Sequence, residues 1–364
     1  MRHERNESPG TSGSLAAAAV RSFVALLLLA TAAGGIDSRN AMTQYGHTAW
    51  RVRDGYFAGP PTAVTQTKDG FLWIGTDVGL IHFDGVRFVP WQPPAGSQLP
   101  DDRIVGLLGA SDGSLWIGTA NGLARWKDRK LVVYARAGRF GGLVEDRQGT
   151  IWAGHTRALS EVPPLCRFRR GDFQCFRFKD EHRLRYVATL HEDRQGHLWI
   201  GGESGACRWR PENPENPECH QIGSLAGLVD KSAVFALADD SDGHLWAGTG
   251  AMGTWRLLSG RWQRYLDSAE HAVDTGTIFS DRGGGLWIGT VDRGLIRHVQ
   301  GRTERFTRAD GLSGDAVHDM FEDREGNVWV ATSSGLDRFR DVKVATLTQR
   351  EGLLGGDVGA VAAS

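Results

Sequence analysis

Short stretches of alternating apolar and polar residues are separated along most of this chain by turns rich in Asp and Gly. The clearest example runs from Asp193 to Gly202 and reads Asp-Arg-Gln-Gly-His-Leu-Trp-Ile-Gly-Gly. Alternation with a period of two is typical of β-strands, and an Asp-x-x-Gly turn beside such a stretch is typical of a hairpin. Because the pattern recurs, we predict an all-β protein.

The pattern occurs seven times, and each copy contains one Trp. Successive copies are 36 to 47 residues apart. A period of about 40 to 45 residues with one small β-unit per copy is typical of propeller blades, whereas helical solenoids need amphipathic helices. We therefore predict a seven-bladed β-propeller of four-stranded blades, in which a Trp on the second strand of each blade packs between neighbouring blades. The repeated residues are Trp73, Trp116, Trp152, Trp199, Trp246, Trp287 and Trp329.

The repeats also set the predicted domain boundaries. We assign residues 56–348 to the propeller and residues 33–55 to a lead-in before it. In the seventh blade the expected strands are 316–322, 328–332, 336–339 and 342–347. Residues 349–364 resemble the segment that begins the seventh repeat, so they are either the start of an eighth repeat or a ring-closing strand, for which 358–362 is the candidate.

The N-terminal 32 residues have the order of a secretory signal. Arg2, Arg5 and Arg21 precede an apolar run at 23–30, and small residues follow at 30–32. This order predicts export to the periplasm or the medium after cleavage near Ala32. The alternative is an uncleaved membrane anchor, although Arg21 shortens the apolar segment to less than a bilayer requires.

Cysteine positions agree with export. Cys166 and Cys175 flank a turn at Arg170-Gly171, so a hairpin would place them opposite each other. We predict two local disulfides, Cys166–Cys175 and Cys207–Cys219, with four free thiols as the alternative. Zinc is not expected because no Cys-x-x-Cys spacing occurs.

Composition excludes one class of partner. The 42 Lys and Arg residues nearly balance 43 Asp and Glu residues, so charge does not favour nucleic acid. Gly accounts for 49 of the 364 residues, which indicates many tight turns.

The repeats, together with the segments Gln44–Trp50 and Gly79–Phe88, resemble the two-component regulator propeller family from Gln44 to the end of the chain. Such repeats form periplasmic sensor regions of bacterial histidine kinases and hybrid two-component systems. The resemblance implies extracytoplasmic ligand sensing or protein interaction, with oligosaccharides a frequent ligand class in related sensors. The expected partners are a small carbohydrate-like ligand and a histidine kinase or other signalling protein, and a homodimer is a further option.

In that family a β-sandwich domain, a membrane helix and a cytoplasmic kinase usually follow the repeats. This sequence contains no match to a phosphoacceptor His region or a nucleotide-binding site. We therefore expect no kinase activity, no catalytic residue, no metal and no cofactor in this chain.

A binding face is predicted from propeller geometry, because the loops before the innermost strands converge on the central channel. The ligand-binding candidates at these positions are Asp102, Arg103, Arg139, Arg185, Tyr186, Lys231 and Asp315, with Ser232 and Asp274 beside them. Arg and Tyr suit carboxylate- or hydroxyl-bearing sugars. A solvated polar rim is the alternative.

Two enzyme classes also use propellers. A sialidase is disfavoured because the chain has five Tyr residues without a recognisable catalytic grouping. The main alternative function is a metal-dependent lyase of the streptogramin-cleaving type, which needs a His base and a metal near the channel. His191 and His318 lie on predicted first strands. A scaffold that binds only proteins is a third option.

Overall fold

Each repeat of the sequence folds into one four-stranded antiparallel sheet in the computed structural model. The structure describes residues 35–342 except 136, 158–161, 179–183, 204, 211–216, 223–232, 251 and 266–273. Within these residues, seven such sheets form the blades of a β-propeller. The predicted fold class is confirmed.

The strands are numbered in chain order, and the first strand of each blade is the innermost. The first blade consists of β2 (Pro61–Gln66), β3 (Leu72–Thr76), β4 (Gly79–Phe83) and β5 (Phe88–Pro90). The second consists of β6 (Ile104–Gly109), β7 (Leu115–Thr119), β8 (Gly122–Lys127) and β9 (Lys130–Ala135). The third consists of β10 (Phe140–Glu145), β11 (Ile151–His155), β12 (Leu165–Arg169) and β13 (Asp172–Phe176). The fourth blade consists of β14 (Thr189–Glu192), β15 (Leu198–Gly202), β16 (Gly205–Trp209) and β17 (Glu218–His220). The fifth consists of β18 (Val234–Asp239), β19 (Leu245–Thr249), β20 (Gly253–Leu258) and β21 (Arg261–Tyr265). The sixth consists of β22 (Thr275–Ser280), β23 (Leu286–Thr290), β24 (Leu295–Val299) and β25 (Arg302–Phe306). The seventh is β26 (Val317–Glu322), β27 (Val328–Thr332), β28 (Gly335–Arg340) and, from the N-terminal side of the chain, β1 (Gly46–Arg51). Short 3-10 helices occupy Met42–Gln44, Val52–Asp54 and Arg308–Asp310.

The repeated Trp residues fill the interfaces between blades, as predicted. All seven lie on second strands and are at most 5% exposed. Each shares a buried cluster with apolar residues on the second strand of the next blade, and Trp329 of the last blade packs in this way against Leu72 and Ile74 of the first. The ring is therefore held by one repeated apolar contact.

The Asp of the turn holds its Trp in place. In the third blade, Asp146 Oδ1 accepts backbone N–H bonds from Gln148 and Thr150, while Oδ2 accepts the indole N–H of Trp152 at 2.8 Å. The same indole bond is made to Asp193, Asp240, Asp281 and Asp323. The turn Gly has a positive φ, between 75° and 97° in the seven blades, which explains why Gly stands there. The Asp thus links the turn to the core.

The Gly two residues after the Trp allows close packing of blades. A Cβ atom added at Gly75 would lie 2.5 Å from Ile104 Cγ2, and one added at Gly248 would lie 2.5 Å from Thr275 Cγ2. Both neighbours are on the first strand of the following blade. This close approach accounts for the Trp-x-Gly part of the motif.

The Arg that follows the turn Asp ties adjacent turns together. Arg147 donates to the carbonyls of Asp193 and Arg194 in the next blade, each at 2.8 Å. Arg194 and Arg282 make equivalent bonds to the blades that follow them. Arg324 extends the series from the last blade to Lys68 of the first, so polar contacts also close the ring.

The strand that completes the seventh blade differs from the prediction. β1 pairs antiparallel with β28 from Gly46↔Arg340 to Arg51↔Gly335. β1 thus occupies the fourth position of this blade, for which the sequence predicted 342–347; residues 343–347 lie outside the described residues. The predicted lead-in 33–55 therefore contributes a strand of the propeller. The leader, residues 1–32, and the segment 349–364 lie outside the described residues.

The residues before β1 fasten this strand to the sixth and seventh blades. The backbone N–H of Met42 donates to Glu304 Oε2 at 2.7 Å, and the N–H of Asp37 donates to the Asp341 carboxylate at 2.9 and 3.1 Å. On β1 itself, His47 Nε2 lies 2.8 Å from Oδ1 of the buried Asp337. Side-chain and backbone contacts together hold the closing strand.

Both predicted disulfides are present in the structure. Cys166 pairs with Cys175 across β12 and β13, and Cys207 pairs with Cys219 across β16 and β17. In the first hairpin Phe168 lies opposite Phe173, the register expected from a turn at Arg170-Gly171. Each bridge fastens an outermost strand to its blade.

Candidate functional site

A cavity of about 410 Å³ lies on the propeller axis. Every blade contributes residues from its first strand or from the segment just before it. The lining is Thr62, Ala63, Val105, Gly106, Leu107, Arg139, Gly141, Gly142, Leu143, Thr156, Ala188, Thr189, Leu190, Phe235, Gly276, Thr277, His318 and Asp319. We call this cavity the axial channel. Its volume is in the range of small-molecule sites.

β-Bulges shape the channel wall. Six of the seven first strands shift register at their second residue, and the bulged residues are Thr62, Val105, Gly141, Phe235, Gly276 and His318. All six line the channel. A bulge leaves one residue unpaired and turns its side chain away from the regular alternation. These positions occupy one column of the repeat, and the column varies in size and chemistry from blade to blade.

The channel mouth is positively charged on one side. Arg139 precedes β10 and lines the channel. Burial lowers the pKa of Arg139, and the nearby charges of Arg103 and Arg157 lower it further. Two guanidinium groups close enough to lower the pKa of Arg139 make this region positive, and such a region attracts an anion.

His318 and Asp319 also line the channel wall. His318 Nδ1 lies 2.9 Å from the carbonyl oxygen of Pro61. The Asp319 carboxylate accepts backbone N–H bonds from Val64 and Met320, each at 2.9 Å. Burial nevertheless raises the pKa of Asp319 to about 7. A carboxyl group with a perturbed pKa in a cavity is a common mark of a functional site.

The structure places the predicted binding residues in several locations. Of these candidates, Arg139 lines the axial channel. Asp102 lines a separate cleft beside the first blade, Arg185 lies 3.9 Å from Glu203, and burial raises the pKa of Tyr186. Arg103 lies 3.5 Å from Asp101, and Asp315 lines a cleft near β1. Lys231 and Ser232 lie outside the described residues.

The channel residues outside the predicted ligand-binding candidates include Phe235, Asp319 and His318, and the sequence had pointed to His318 only for the lyase alternative. The prediction placed the site in the loops before the first strands, whereas the bulges turn residues within those strands toward the axis. The sequence did contain one signal for the channel-facing residues: the second position of the first strand holds a different kind of residue in different blades.

His155 is a buried imidazole beside the channel wall. It stands at the end of β11, where five other blades have Thr, and it is 1% exposed. Its ring packs 4.1 Å from Phe140, and neither ring nitrogen has a hydrogen-bond partner among the described residues. Burial lowers the pKa of His155 to about 4.

We expect His155→Thr to flatten the pH dependence of stability below neutrality. In the wild type the unfolded state binds this proton near pH 6.5 and the folded state only near pH 4. Stability should therefore fall by roughly 3 kcal/mol as pH drops through this window. Denaturant unfolding at several pH values measures the slope. Phe140→Leu is the control, because it disturbs the same packing at every pH; an unchanged slope in His155→Thr would contradict the assignment.

One group of potential metal ligands occurs among the described residues, at Asp240, Asp242 and His244 in the turn between β18 and β19. The Asp240 carboxylate already accepts the indole N–H of Trp246, and Arg256 Nη2 lies 3.1 Å from it. The same guanidinium nitrogen lies 2.6 Å from His244 Nδ1. The group does not line the axial channel, and a guanidinium occupies the position where a cation would bind.

The repeats match a known family. A sequence model described as "Two component regulator propeller" matches residues 98–121, 227–251 and 311–334. Three segments of the chain are therefore similar to two-component regulator propeller repeats. The first and third matched segments each run from the loop before a first strand to the second strand of the blade, which is the unit that the Trp and Asp contacts define. No curated protein matches this chain.

Solved structures share its fold. The extracellular domain of a putative one-component system from B. thetaiotaomicron is 19% identical with a TM-score of 0.66, covering 82% of this chain and 40% of that chain. The extracellular domain of a putative hybrid two-component system from B. thetaiotaomicron is 19% identical with a TM-score of 0.64, covering 81% and 42%. Virginiamycin B lyase from Staphylococcus aureus is 14% identical with a TM-score of 0.64, covering 82% and 100%.

These identities establish a common fold and no more. The chain spans about two fifths of the length of the two extracellular-domain structures, since it covers 40% and 42% of them. In the part of the chain that the structure describes, no helix is long and apolar enough to span a bilayer.

Proposed function

We propose that this regulator propeller is an extracytoplasmic sensor that binds a small anionic, hydroxylated ligand in the axial channel and has no catalytic activity of its own. The observation that carries the proposal is the convergence of all seven blades on one cavity with Arg139 at its mouth. The family match favours a role in two-component signalling, with a histidine kinase or other signalling protein as the partner.

The channel lining favours a carboxylate-bearing sugar. The guanidinium of Arg139 can form paired hydrogen bonds to a carboxylate, and Phe235, which is 44% exposed, offers an aromatic face for a sugar ring. The hydroxyl groups of Thr62, Thr156 and Thr189 add polar contacts along the wall. This combination provides charge, stacking and hydroxyl recognition in one cavity.

Two observations support a location outside the cytoplasm. The disulfides Cys166–Cys175 and Cys207–Cys219 are typical of proteins that fold in an oxidising compartment. The two sensor structures with the same fold are extracellular domains. Cleavage of the N-terminal leader would make the protein periplasmic or secreted.

Calorimetric titration with digalacturonate, and with neutral maltose as the uncharged comparison, tests the proposal. We expect binding of digalacturonate, no binding of maltose, and a loss of roughly 10- to 100-fold in affinity in Arg139→Gln, because a charge-assisted hydrogen bond contributes about 1.5–3 kcal/mol. Arg264→Gln is the matched control, since Arg264 is an exposed residue on the outermost strand of the fifth blade. Equal affinity in Arg139→Gln and wild type would remove the channel mouth from the site. Chelator-sensitive cleavage of a streptogramin B would instead support the lyase alternative.

A further inference from the structure

A second cleft lies where the chain closes the ring. It has a volume of about 690 Å³ and shares no residue with the axial channel. One wall comes from the segment that follows β1, and the other comes from the loop before β26 and the turn between β27 and β28. The lining is Arg51, Val52, Arg53, Arg308, Ala309, Leu312, Ser313, Asp315, Ser333 and Ser334. We call this the seam cleft.

Its charge is predominantly positive. Arg51, Arg53 and Arg308 line the cleft together with a single acidic residue, Asp315. One Asp315 oxygen accepts the backbone N–H of Arg308 at 2.8 Å. Three guanidinium groups around one engaged carboxylate leave an excess of positive charge in a concave site, which is the setting in which proteins bind anions.

The three guanidinium groups retain donors for a ligand. Arg51 Nη2 donates to the carbonyl of Gly311 at 2.9 Å, which fixes the side chain but uses only one of its five N–H groups. Arg53 faces its neighbour Asp54 at 3.6 Å, and its side chain is 75% exposed. Among the described residues, the guanidinium of Arg308 has no hydrogen-bond acceptor.

The surrounding groups fit an oxyanion. Ser333 and Ser334 place hydroxyl groups in the same lining, and buried Leu312 forms an apolar part of the wall. Guanidinium and hydroxyl donors around a cavity match the oxygen atoms of phosphate or sulfate. The volume leaves room for the organic part of a monoester.

The two sides of the cleft belong to segments that are far apart in sequence. Arg53 lies in the short 3-10 helix after β1, and Arg308 begins the one before β26. Val52 N–H donates to the Ser334 carbonyl at 3.0 Å, so the segment after β1 already contacts the turn between β27 and β28, and Arg51 Nη2 donates to the carbonyl of Gly311, just after the 3-10 helix of Arg308. An anion held between Arg53 and Arg308 would add a bridge across the seam.

We propose that the seam cleft is an oxyanion site for phosphate or sulfate, free or as a monoester, and that its occupation locks β1 onto β28. A ligand that binds only the closed ring stabilises that state by mass action. The site therefore couples an anionic ligand to ring closure, independently of the axial channel.

The test compares inorganic phosphate and sulfate with chloride at matched ionic strength, using thermal unfolding and amide hydrogen exchange of Gly46–Arg51 in the full chain. We expect phosphate and sulfate to raise Tm more than chloride does and to slow exchange in β1. The double variant Arg53→Gln/Arg308→Gln should lose at least tenfold in phosphate affinity, whereas Arg264→Gln should retain it. All the substituted residues are exposed, so both proteins should fold.

Several outcomes would overturn the proposal. Phosphate and sulfate stabilise many proteins by exclusion from the surface, and that effect would be equal in the wild type and in the double variant. Loss of the phosphate effect in Arg139→Gln, with retention in the double variant, would assign the anion to the axial channel. Binding of glucose 6-phosphate shows whether the ligand is a monoester or the free anion. Tighter binding of glucose 6-phosphate than of inorganic phosphate indicates a monoester ligand, and weaker binding indicates the free anion.

Discussion

Asp281→Ala is expected to lower the free energy of unfolding by roughly 3–5 kcal/mol, the range for breaking a buried ion pair by removing one partner. The side chains of Asp281 and Arg297 are both 0% exposed, and Arg297 Nη2 lies 3.7 Å from Asp281 Oδ2. The Arg297 guanidinium also lies 5.2 Å from the ring centres of Tyr45 and Trp287. Without Asp281, no other carboxylate of the described residues forms an ion pair with this buried guanidinium, which would keep only its hydrogen bond to the Asn40 carbonyl at 3.2 Å.

The repeat supplies a matched control for that prediction. Asp146 makes the same turn and indole bonds in the third blade, but the equivalent arginine, Arg167, donates to Gln174 Oε1 at 2.8 Å instead. Asp146→Ala should therefore cost only roughly 1–3 kcal/mol, the penalty for unsatisfied hydrogen-bond donors. Urea unfolding of both variants gives the comparison. Equal losses would show that the buried Arg297 adds nothing to the cost of removing its Asp.

Trp50→Ala should weaken ring closure. We expect a loss of about 3 kcal/mol, the lower end of the range for Trp truncation, because Trp50 is only partly buried. Its indole stacks on Trp329 at 5.5 Å and contacts Phe88 at 5.4 Å. Since Trp50 lies on β1, its loss also removes the main apolar anchor of the closing strand.

Amide hydrogen exchange separates this effect from ordinary loss of packing. Exchange in Gly46–Arg51 should become faster in Trp50→Ala than the global stability change explains. Trp262→Ala is the control, because Trp262 is also a partly buried Trp on an outermost strand, β21 of the fifth blade, which continues directly from the rest of its blade. If β1 remained as protected in Trp50→Ala as in Trp262→Ala, the closing strand would be held by its backbone pairing alone.

Much of the fold could be read from local pattern. The Asp-x-x-Gly turn and the Trp six residues after the Asp recur in five blades because each of these blades makes the same local contacts: the Asp caps its own turn and binds its own Trp. The Cys166–Cys175 hairpin was predictable for the same reason, since its register depends on the turn between the two residues. Contacts between residues that are close in sequence can therefore be predicted from the local pattern.

Ring closure was not readable in this way. The prediction continued the seventh blade past β28 because an apolar segment follows it in the chain, yet β1 takes that position. His47 and Asp337, which meet at 2.8 Å, are 290 residues apart. Nothing in the local pattern of either segment specifies a partner at that distance.

In the axial channel, too, the sequence predicted one residue correctly and did not predict others. Arg139 was predicted because loops before first strands converge on the axis in any propeller. Phe235 was missed, and His318 was named only for the lyase alternative, because strict alternation does not show where a strand bulges. A one-residue bulge changes the direction of a side chain and leaves the overall repeat unchanged.

The sequence by itself therefore determined the number of blades, the position of the core Trp in each and the local disulfide pairs, because each of these shows in the residue pattern of a single repeat. Only the tertiary structure decided which strand closes the ring, which side chains face the channel and that three arginines meet at the seam. These features depend on contacts between segments that are distant along the chain, and such contacts form only when the seven blades close into a ring.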